Sequence, residues 1–285
     1  MTISRLGIVG SGIMGSGIAE VAAKAGVDVI LRSRQQRTAD AMLAALEKSL
    51  SKQVERGKLD ELVAKEIAAR VSATDDLHAL HDCDLVLESV VEDLEVKKEL
   101  FTRLDDIVKP EGILATNTST LPVVELAVAT ERPDKVVGIH FFNPAPMMSL
   151  VEVIAPLTAS ADAVEAAKAF ATACGKDVVE VKDRAGFIVN ALLFPYLNNA
   201  VRMLEAGTAS RDDIDTAMKG GCNFPMGPLA LLDLVGLDTS LSILDALYAE
   251  FRDPNYAAMP LLRRMVAAGQ LGRKTGAGFY DYSKK

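Results

Sequence analysis

The stretch Gly10-Ser11-Gly12-Ile13-Met14-Gly15 lies between two apolar runs near the start of the chain. The run before it, Leu6-Gly7-Ile8-Val9, is typical of a buried strand, and the run after it has the spacing of a helix that ends at Gly26. Strand, glycine turn and helix in this order are the fingerprint of a dinucleotide site, where the helix N-terminus binds the pyrophosphate. Gly12 removes the side chain that would block this approach. We therefore predict that all six residues of the turn bind the cofactor.

The composition is that of a globular protein, with 49% hydrophobic and 25% charged residues in 285. A net charge of −8 argues against nucleic acid or an anionic membrane as a partner. No apolar run approaches the ~20 residues of a membrane span. The cysteines, Cys83, Cys174 and Cys222, have no metal-ligand spacing, so we expect reduced, mostly buried thiols and no metal site. We expect no signal peptide before the first strand, and we therefore predict a cytoplasmic protein.

The second predicted strand, residues 27–31, ends at Arg32-Ser33-Arg34. NAD-binding folds of this kind carry an acidic residue here, which binds the adenosine ribose. Asp28 is acidic but lies at the other end of the strand. Two guanidinium groups and a hydroxyl, with no carboxylate to repel a phosphate, suit the 2′-phosphate of NADP(H). We therefore favour NADP(H), and NAD(H) is the alternative if these arginines are only solvated at a strand end.

A helical pattern covers about residues 36–70, with a break at Gly57. The two predicted helices are longer than a simple crossover between strands needs, so they form a helical arm. Four basic residues of this arm either meet the phosphates of a bulky substrate or form a solvated charged face: Lys48, Lys52, Arg56 and Lys58.

Polar residues follow the later strands at the sheet edge where ligands bind in open α/β folds. The strand at residues 113–115 ends in Thr116-Asn117-Thr118-Ser119-Thr120, which either binds a ligand or caps the next helix. His140 ends another strand, and Glu152 lies on the strand after it. A strand pair would bring imidazole and carboxylate together as a general base requires, although a lone histidine between apolar residues is often a core residue.

The pattern changes after residue 183, where Lys182-Asp183-Arg184-Ala185-Gly186 is typical of a hinge. Beyond it the apolar spacing is helical almost to the end of the chain, starting with a long helix from about Phe187 that contains Pro195. We predict an α/β domain of Rossmann type with a mostly parallel sheet over residues 1–183. An all-α domain over residues 184–285 follows it.

Several motifs occur in the order seen in 3-hydroxyacyl-CoA dehydrogenases, which the chain resembles over nearly its whole length. The similarity is greatest to the short bacterial 3-hydroxybutyryl-CoA dehydrogenases. Besides the glycine turn, the motifs are Asn117-Thr118-Ser119, His140-Phe141-Phe142-Asn143-Pro144, Gly186-Phe187-Ile188-Val189-Asn190, Pro225-Met226-Gly227-Pro228 and Lys274-Thr275-Gly276-Ala277-Gly278-Phe279-Tyr280.

The resemblance implies a role for individual residues. His140 matches the catalytic histidine, Glu152 the carboxylate that orients it, and Ser119 and Asn190 two groups that contact the substrate. Positions implied near the cofactor are Glu92, Lys97, Asn117 and Asn143. Positions implied near coenzyme A are Ser49 and Arg56, with Lys52 on the same helical arm.

The resemblance also implies an activity and an assembly. The expected reaction interconverts acetoacetyl-CoA and (S)-3-hydroxybutyryl-CoA by hydride transfer with a nicotinamide cofactor, as in fatty acid and butanoate metabolism. A homodimer formed largely through the helical domain is expected. Two rival functions are a non-catalytic dinucleotide-binding protein and a β-hydroxyacid dehydrogenase acting on free acids. The β-hydroxyacid dehydrogenases resemble one another in using a catalytic lysine in place of this histidine and glutamate pair, so the residues here disfavour that class.

Overall fold

The computed structural model of the protein describes residues 1–283, which fall into two compact units. The first unit is Met1–Asp183, and the second begins at Arg184. Within the described residues, no helix combines the length and the apolar character that crossing a membrane requires.

The first unit is built on one eight-stranded sheet. Its strands, in chain order, are β1 (Arg5–Val9), β2 (Asp28–Arg32), β3 (Val71–Thr74), β4 (Leu85–Glu88), β5 (Ile113–Thr116), β6 (Val136–Phe141), β7 (Leu150–Ala155) and β8 (Asp177–Lys182). They lie in the order β3-β2-β1-β4-β5-β6-β7-β8, and every neighbouring pair is parallel except β6 and β7. The Rossmann-type, mostly parallel sheet predicted from the sequence is therefore confirmed.

Helices connect these strands in the way that parallel pairing requires. They are α1 (Ile13–Lys24), α2 (Gln36–Glu55), α3 (Glu61–Ala69), α4 (Leu94–Ile107), α5 (Val123–Ala127) and α6 (Ala161–Ala173). The predicted helical arm is α2 and α3, which are separated at Gly57 with φ +65°. The core lies between the sheet and the helices, and strands such as β4 and β5 are buried along their full length, as central parallel strands are.

The sheet places the glycine turn at a topological switch point. Chain connections leave β1 towards β2 on one side and reach β4 on the other, so the carboxyl ends of β1 and β4 border a crevice. Gly10 lies there with φ +142°, and an added Cβ would overlap the carbonyl group of Ser89 after β4. Only glycine fits that position without displacing the end of β4.

The second unit is helical, as the apolar spacing predicted. Its helices are α7 (Val189–Glu205), α8 (Arg211–Cys222), α9 (Pro228–Val235), α10 (Leu237–Phe251) and α11 (Pro260–Ala267). Two buried aspartates organise it. Asp215 accepts hydrogen bonds from the first N–H groups of α9, and Asp233 accepts from the N–H groups of Phe279 and Tyr280 at 2.8 Å. The glycine-rich basic tail is therefore attached to the helical core by a carboxylate.

Two details differ from the sequence predictions. The long helix begins at Val189 rather than near Phe187, because Phe187 has a left-handed φ of +49°. The cysteines are free, as predicted, but Cys222 is exposed at the end of α8, so burial holds only for Cys83 and partly for Cys174.

Candidate active site

His140 and Glu152 face each other across the antiparallel strands β6 and β7. Nδ1 of His140 lies 2.8 Å from Oε2 of Glu152, and both side chains are buried. Because the carboxylate only accepts hydrogen bonds, Nδ1 is the protonated nitrogen of the neutral ring and Nε2 carries the lone pair. The pair therefore presents Nε2 as a base, backed by an anion that stabilises the imidazolium.

Ser119 lies on the other side of the imidazole. Its Oγ is 3.2 Å from Nε2 of His140, while the Phe142 ring contacts the imidazole with 4.5 Å between centroids. Ser119 comes from the loop after β5, and His140 comes from the adjacent strand β6. Serine, histidine and glutamate thus form a continuous chain, which can exchange a proton with an oxygen atom held near Ser119 and Nε2.

Glu92 and Lys97 flank the Ser119 loop but differ in exposure. The Glu92 side chain is 40% exposed, and its Oε1 accepts a hydrogen bond from the N–H of Ser119 at 3.0 Å. The Lys97 side chain is 1% exposed, and its Nζ is paired with Glu88 at 2.6 Å and Glu92 at 3.3 Å. Glu92 is therefore accessible to a ligand near Ser119. Lys97 is buried and is connected to the Ser119 loop by its ion pair with Glu92.

The two asparagines predicted for the cofactor take different places. Asn117 joins strand ends, because its N–H donates to the Glu88 carbonyl at 2.8 Å and its Oδ1 accepts from the N–H of Phe141 at 2.8 Å. Asn143 lines a groove of about 410 Å³ between α1 and α2, which we call the α1–α2 groove.

The glycine turn has the geometry of a phosphate site. Helix α1 begins at Ile13 with Gly12 as its N-cap and no side chain bonded to its first N–H groups. Apart from the neighbouring residues of the turn and helix, no atom of the described chain lies within 4 Å of a Cβ placed on Gly12. The approach that a pyrophosphate needs is therefore open. The residues present fit the dinucleotide that the sequence predicted.

A cavity of about 610 Å³ continues from the glycine turn past the end of β2. We call it the arginine cavity, because Arg32, Arg34 and Arg103 line it. Partial burial, followed by repulsion from the Arg103 guanidinium, lowers the pKa of Arg32 from its usual value. Positive charge is thus concentrated in the arginine cavity, where a bound anion would reduce the repulsion between the guanidinium groups.

Two features of the arginine cavity depart from the sequence argument. Ser33 is buried and donates its hydroxyl to Thr38 at 2.5 Å, since Thr38 itself donates to the Gln35 carbonyl. The Ser33 hydroxyl is therefore already used. The cavity also contains a carboxylate that the sequence did not indicate, because Glu99 of α4 lines it.

The α1–α2 groove contains one of the three residues predicted for coenzyme A. Ser49 lines it and donates to Oε2 of Glu20 at 2.7 Å. Burial raises the pKa of Glu20, but hydrogen bonds from Lys24, Ser49 and Gln53 outweigh it and hold the pKa below its usual value. Lys52 and Arg56 are exposed at the end of α2 and do not line the groove.

Asn190 lies in the first turn of α7 in the second unit, where it is 8% exposed. Its contact with substrate stays a prediction.

Sequence reasoning missed four charged residues around these sites: Glu20, Glu88, Glu99 and Arg103. A signal existed for the last two. Val96, Glu99, Leu100 and Arg103 follow each other at helical spacing after β4, so they share one face of α4 that borders the crevice.

Comparison with known proteins gives the same family for both units. The family description "3-hydroxyacyl-CoA dehydrogenase, NAD binding domain" matches residues 5–184, and "3-hydroxyacyl-CoA dehydrogenase, C-terminal domain" matches residues 186–282. The 3-hydroxybutyryl-CoA dehydrogenase of Clostridioides difficile is 49% identical over 280 residues, which cover 98% of this chain and 100% of that protein.

Solved structures agree with the sequence relatives. The crystal structure of FadB2 from M. tuberculosis has a TM-score of 0.97 at 48% identity and covers 99% of this chain and 100% of that one. The (S)-3-hydroxybutyryl-CoA dehydrogenase of Ralstonia eutropha has a TM-score of 0.97 at 41% identity, with 99% and 100% covered.

Proposed function

Because the chain belongs to the 3-hydroxyacyl-CoA dehydrogenase family and is an oxidoreductase, we propose that it interconverts acetoacetyl-CoA and (S)-3-hydroxybutyryl-CoA with a nicotinamide cofactor. The observation that carries this proposal is the Ser119–His140–Glu152 chain, which lies at the same edge of the sheet as the open glycine turn. Relatives named as 3-hydroxybutyryl-CoA dehydrogenases, at 43–49% identity over nearly the whole chain, support the four-carbon substrate.

The mechanism follows from the atoms in this chain. In oxidation, Nε2 of His140 accepts the proton of the 3-hydroxyl group, while Ser119 donates a hydrogen bond to the same oxygen. Glu152 keeps Nδ1 protonated and stabilises the imidazolium by its charge at 2.8 Å. A nicotinamide cofactor held at the glycine turn would supply the acceptor for the hydride of C3. In reduction, His140 returns the proton as the acid.

The proposed cofactor is NADP(H). Arg32 and Arg34 at the end of β2, together with Arg103 across the arginine cavity, give three guanidinium groups for a 2′-phosphate. Glu99 opposes this preference, because its carboxylate would repel the phosphate and can accept hydrogen bonds from ribose hydroxyls. Among the residues that line the arginine cavity, three guanidinium groups against one carboxylate favour the phosphate, and Asp75 and Asp76, which also act on Arg32, reduce that excess.

The test is the kcat/KM of acetoacetyl-CoA reduction with NADPH and with NADH. We expect the wild type to prefer NADPH. Arg34→Gln is expected to lower kcat/KM by about 10–100-fold with NADPH and to leave kcat/KM with NADH unchanged, because it removes one charge-assisted phosphate contact. Arg70→Gln, which acts at the opposite end of β2 through Asp28, is the control. A preference for NADH would retain the enzyme and refute the cofactor proposal. No turnover with either would favour the non-catalytic binder, and turnover of free 3-hydroxybutyrate would favour the free-acid enzyme.

The α1–α2 groove is the proposed place of the coenzyme A moiety. Ser49 borders it, and Lys52 and Arg56 would meet the phosphates from the exposed end of α2. Asn190 is proposed to contact the acyl part, as the family resemblance implies. A homodimer and a cytoplasmic location complete the proposal, the latter supported by three free cysteines.

A further inference from the structure

A buried ion pair lies behind the Ser119 loop. Nζ of Lys97 on α4 is 2.6 Å from Oε1 of Glu88 at the end of β4, and both side chains are at most 1% exposed. Glu88 is fully engaged, because Oε1 also accepts from the N–H of Val90 at 2.5 Å and Oε2 accepts from the Thr116 hydroxyl at 2.8 Å. The pair is therefore fixed by the segment that follows β4 and by the neighbouring strand β5.

Glu92 connects this ion pair to the catalytic loop. Its Oε2 is 3.3 Å from Nζ of Lys97. Its Oε1 accepts from the Thr118 hydroxyl at 2.5 Å and from the N–H groups of Ser119 at 3.0 Å and Thr120 at 3.4 Å. One carboxylate thus holds three consecutive residues, and the middle one carries the hydroxyl that contacts His140.

A purely structural role explains the ion pair poorly. A buried ion pair gains little stability over apolar residues of similar size, because desolvation offsets the attraction between the charges. Helix α4 already packs through Leu100, Phe101 and Leu104, which are buried. The charges orient the partly exposed Glu92 side chain. The Lys97 ammonium group, which is held by Glu88, attracts the Glu92 carboxylate and keeps it turned towards the Ser119 loop.

We propose that Lys97 and Glu88 are positioning residues for Ser119, which they act on through the carboxylate of Glu92. In this view the loss of Lys97 misplaces the Ser119 hydroxyl relative to Nε2 of His140. The inference rests on the proposed role of Ser119 in holding the substrate oxygen.

The test is a double-mutant cycle of Lys97→Met and Ser119→Ala, with kcat measured for acetoacetyl-CoA reduction at saturating cofactor. Each single variant is expected to lose about 10–100-fold in kcat, the range for residues that orient a reacting group. The double variant is expected to be no slower than Ser119→Ala, because Lys97 then has no hydroxyl to position. A role of Lys97 in cofactor binding alone would instead lower the cofactor affinity, followed by fluorescence titration, and leave kcat at saturating cofactor unchanged.

Lys98→Met is the matched control. Lys98 is the next residue of α4 and pairs with Glu95 and Glu125, away from the Ser119 loop. We expect it to leave kcat unchanged in both backgrounds.

Losses that multiply in the double variant would overturn the proposal, as would a loss of cofactor affinity with kcat unchanged. If Ser119→Ala alone keeps full activity, the proposed role of Ser119 fails instead, so the two failures are distinguishable.

A second pair of variants decides the question if Lys97→Met does not fold with Glu88 left unpaired. Thr118→Val removes the hydroxyl that donates to Glu92, and Thr118→Ser keeps it. We expect Thr118→Val to lower kcat and to show the same non-additivity with Ser119→Ala, while Thr118→Ser retains at least half of the wild-type kcat. Equal activity of the valine and serine variants would overturn the proposal.

Discussion

At the scale of single residues, His140 determines whether the chain can move a proton. Glutamine at this position has no ring nitrogen that can accept and return a proton, so we expect His140→Gln to lower kcat by about 10²–10⁴-fold. The glycine turn and the arginine cavity are built from other residues, and cofactor affinity should stay within about threefold. Steady-state rates and a fluorescence titration measure the two quantities. Loss of both together would contradict the assigned role.

The residues that sequence reasoning finds are those whose spacing encodes their contact. The contact between His140 and Glu152 is predictable because each lies on a strand and the two strands are expected to pair. Glu88 and Arg103 were missed because their importance depends on burial and on which face of α4 borders the crevice. Those facts emerge from packing between elements that are distant in sequence. Ser33 shows a further limit, since its place at the end of β2 is predictable but the hydrogen bond that occupies its hydroxyl depends on how the following turn folds.

At the scale of elements, Asp84 is the residue before β4, and its side chain binds the start of β1. Its Oδ2 accepts hydrogen bonds from the N–H groups of Ser4 and Arg5, and its Oδ1 accepts from Nζ of Lys109 at 2.7 Å. Burial raises the pKa of Asp84, but these bonds outweigh it and hold the pKa at about 2.

A pKa below the unfolded value stabilises the fold above pH ~4, and this stabilisation disappears as the pH falls through about 2. We expect Asp84→Asn to lower the free energy of unfolding by about 2 kcal/mol at pH 7, with the difference from wild type shrinking below pH ~4. Urea denaturation at several pH values measures this. Asp106→Asn on the exposed side of α4 is the control, and a difference that does not depend on pH would contradict the electrostatic origin.

Most element types and their order were predictable because hydrophobic period and glycine turns are local signals, but the short strand β3 was not predicted. The start of α7 was not, since the left-handed φ of Phe187 depends on its surroundings rather than on its side chain. The role of the tail was also hidden, because Asp233, which binds Phe279 and Tyr280, lies more than forty residues earlier.

At the scale of the whole molecule, the proposed homodimer depends on the second unit. Several of its large apolar side chains are exposed in the single chain, including Leu192 at 73% on α7 and Leu234 at 49% on α9. Burying such side chains in a partner gains about 25 cal/mol per Å², whereas a buried unpaired carboxylate is strongly unfavourable. We therefore expect the combined change Leu192→Glu and Leu234→Glu to convert a dimer into a monomer in size-exclusion chromatography with light scattering.

The control for this change is Leu157→Glu in the first unit. Leu157 is 98% exposed and follows β7, so its replacement places a carboxylate at an accessible site outside the helical unit. We expect this variant to remain dimeric. If the wild type is monomeric at micromolar concentration, or if Leu157→Glu dissociates the dimer as readily as the double variant, then the helical unit is not the assembly surface. The exposed leucines of α7 and α9 would in that case need another explanation.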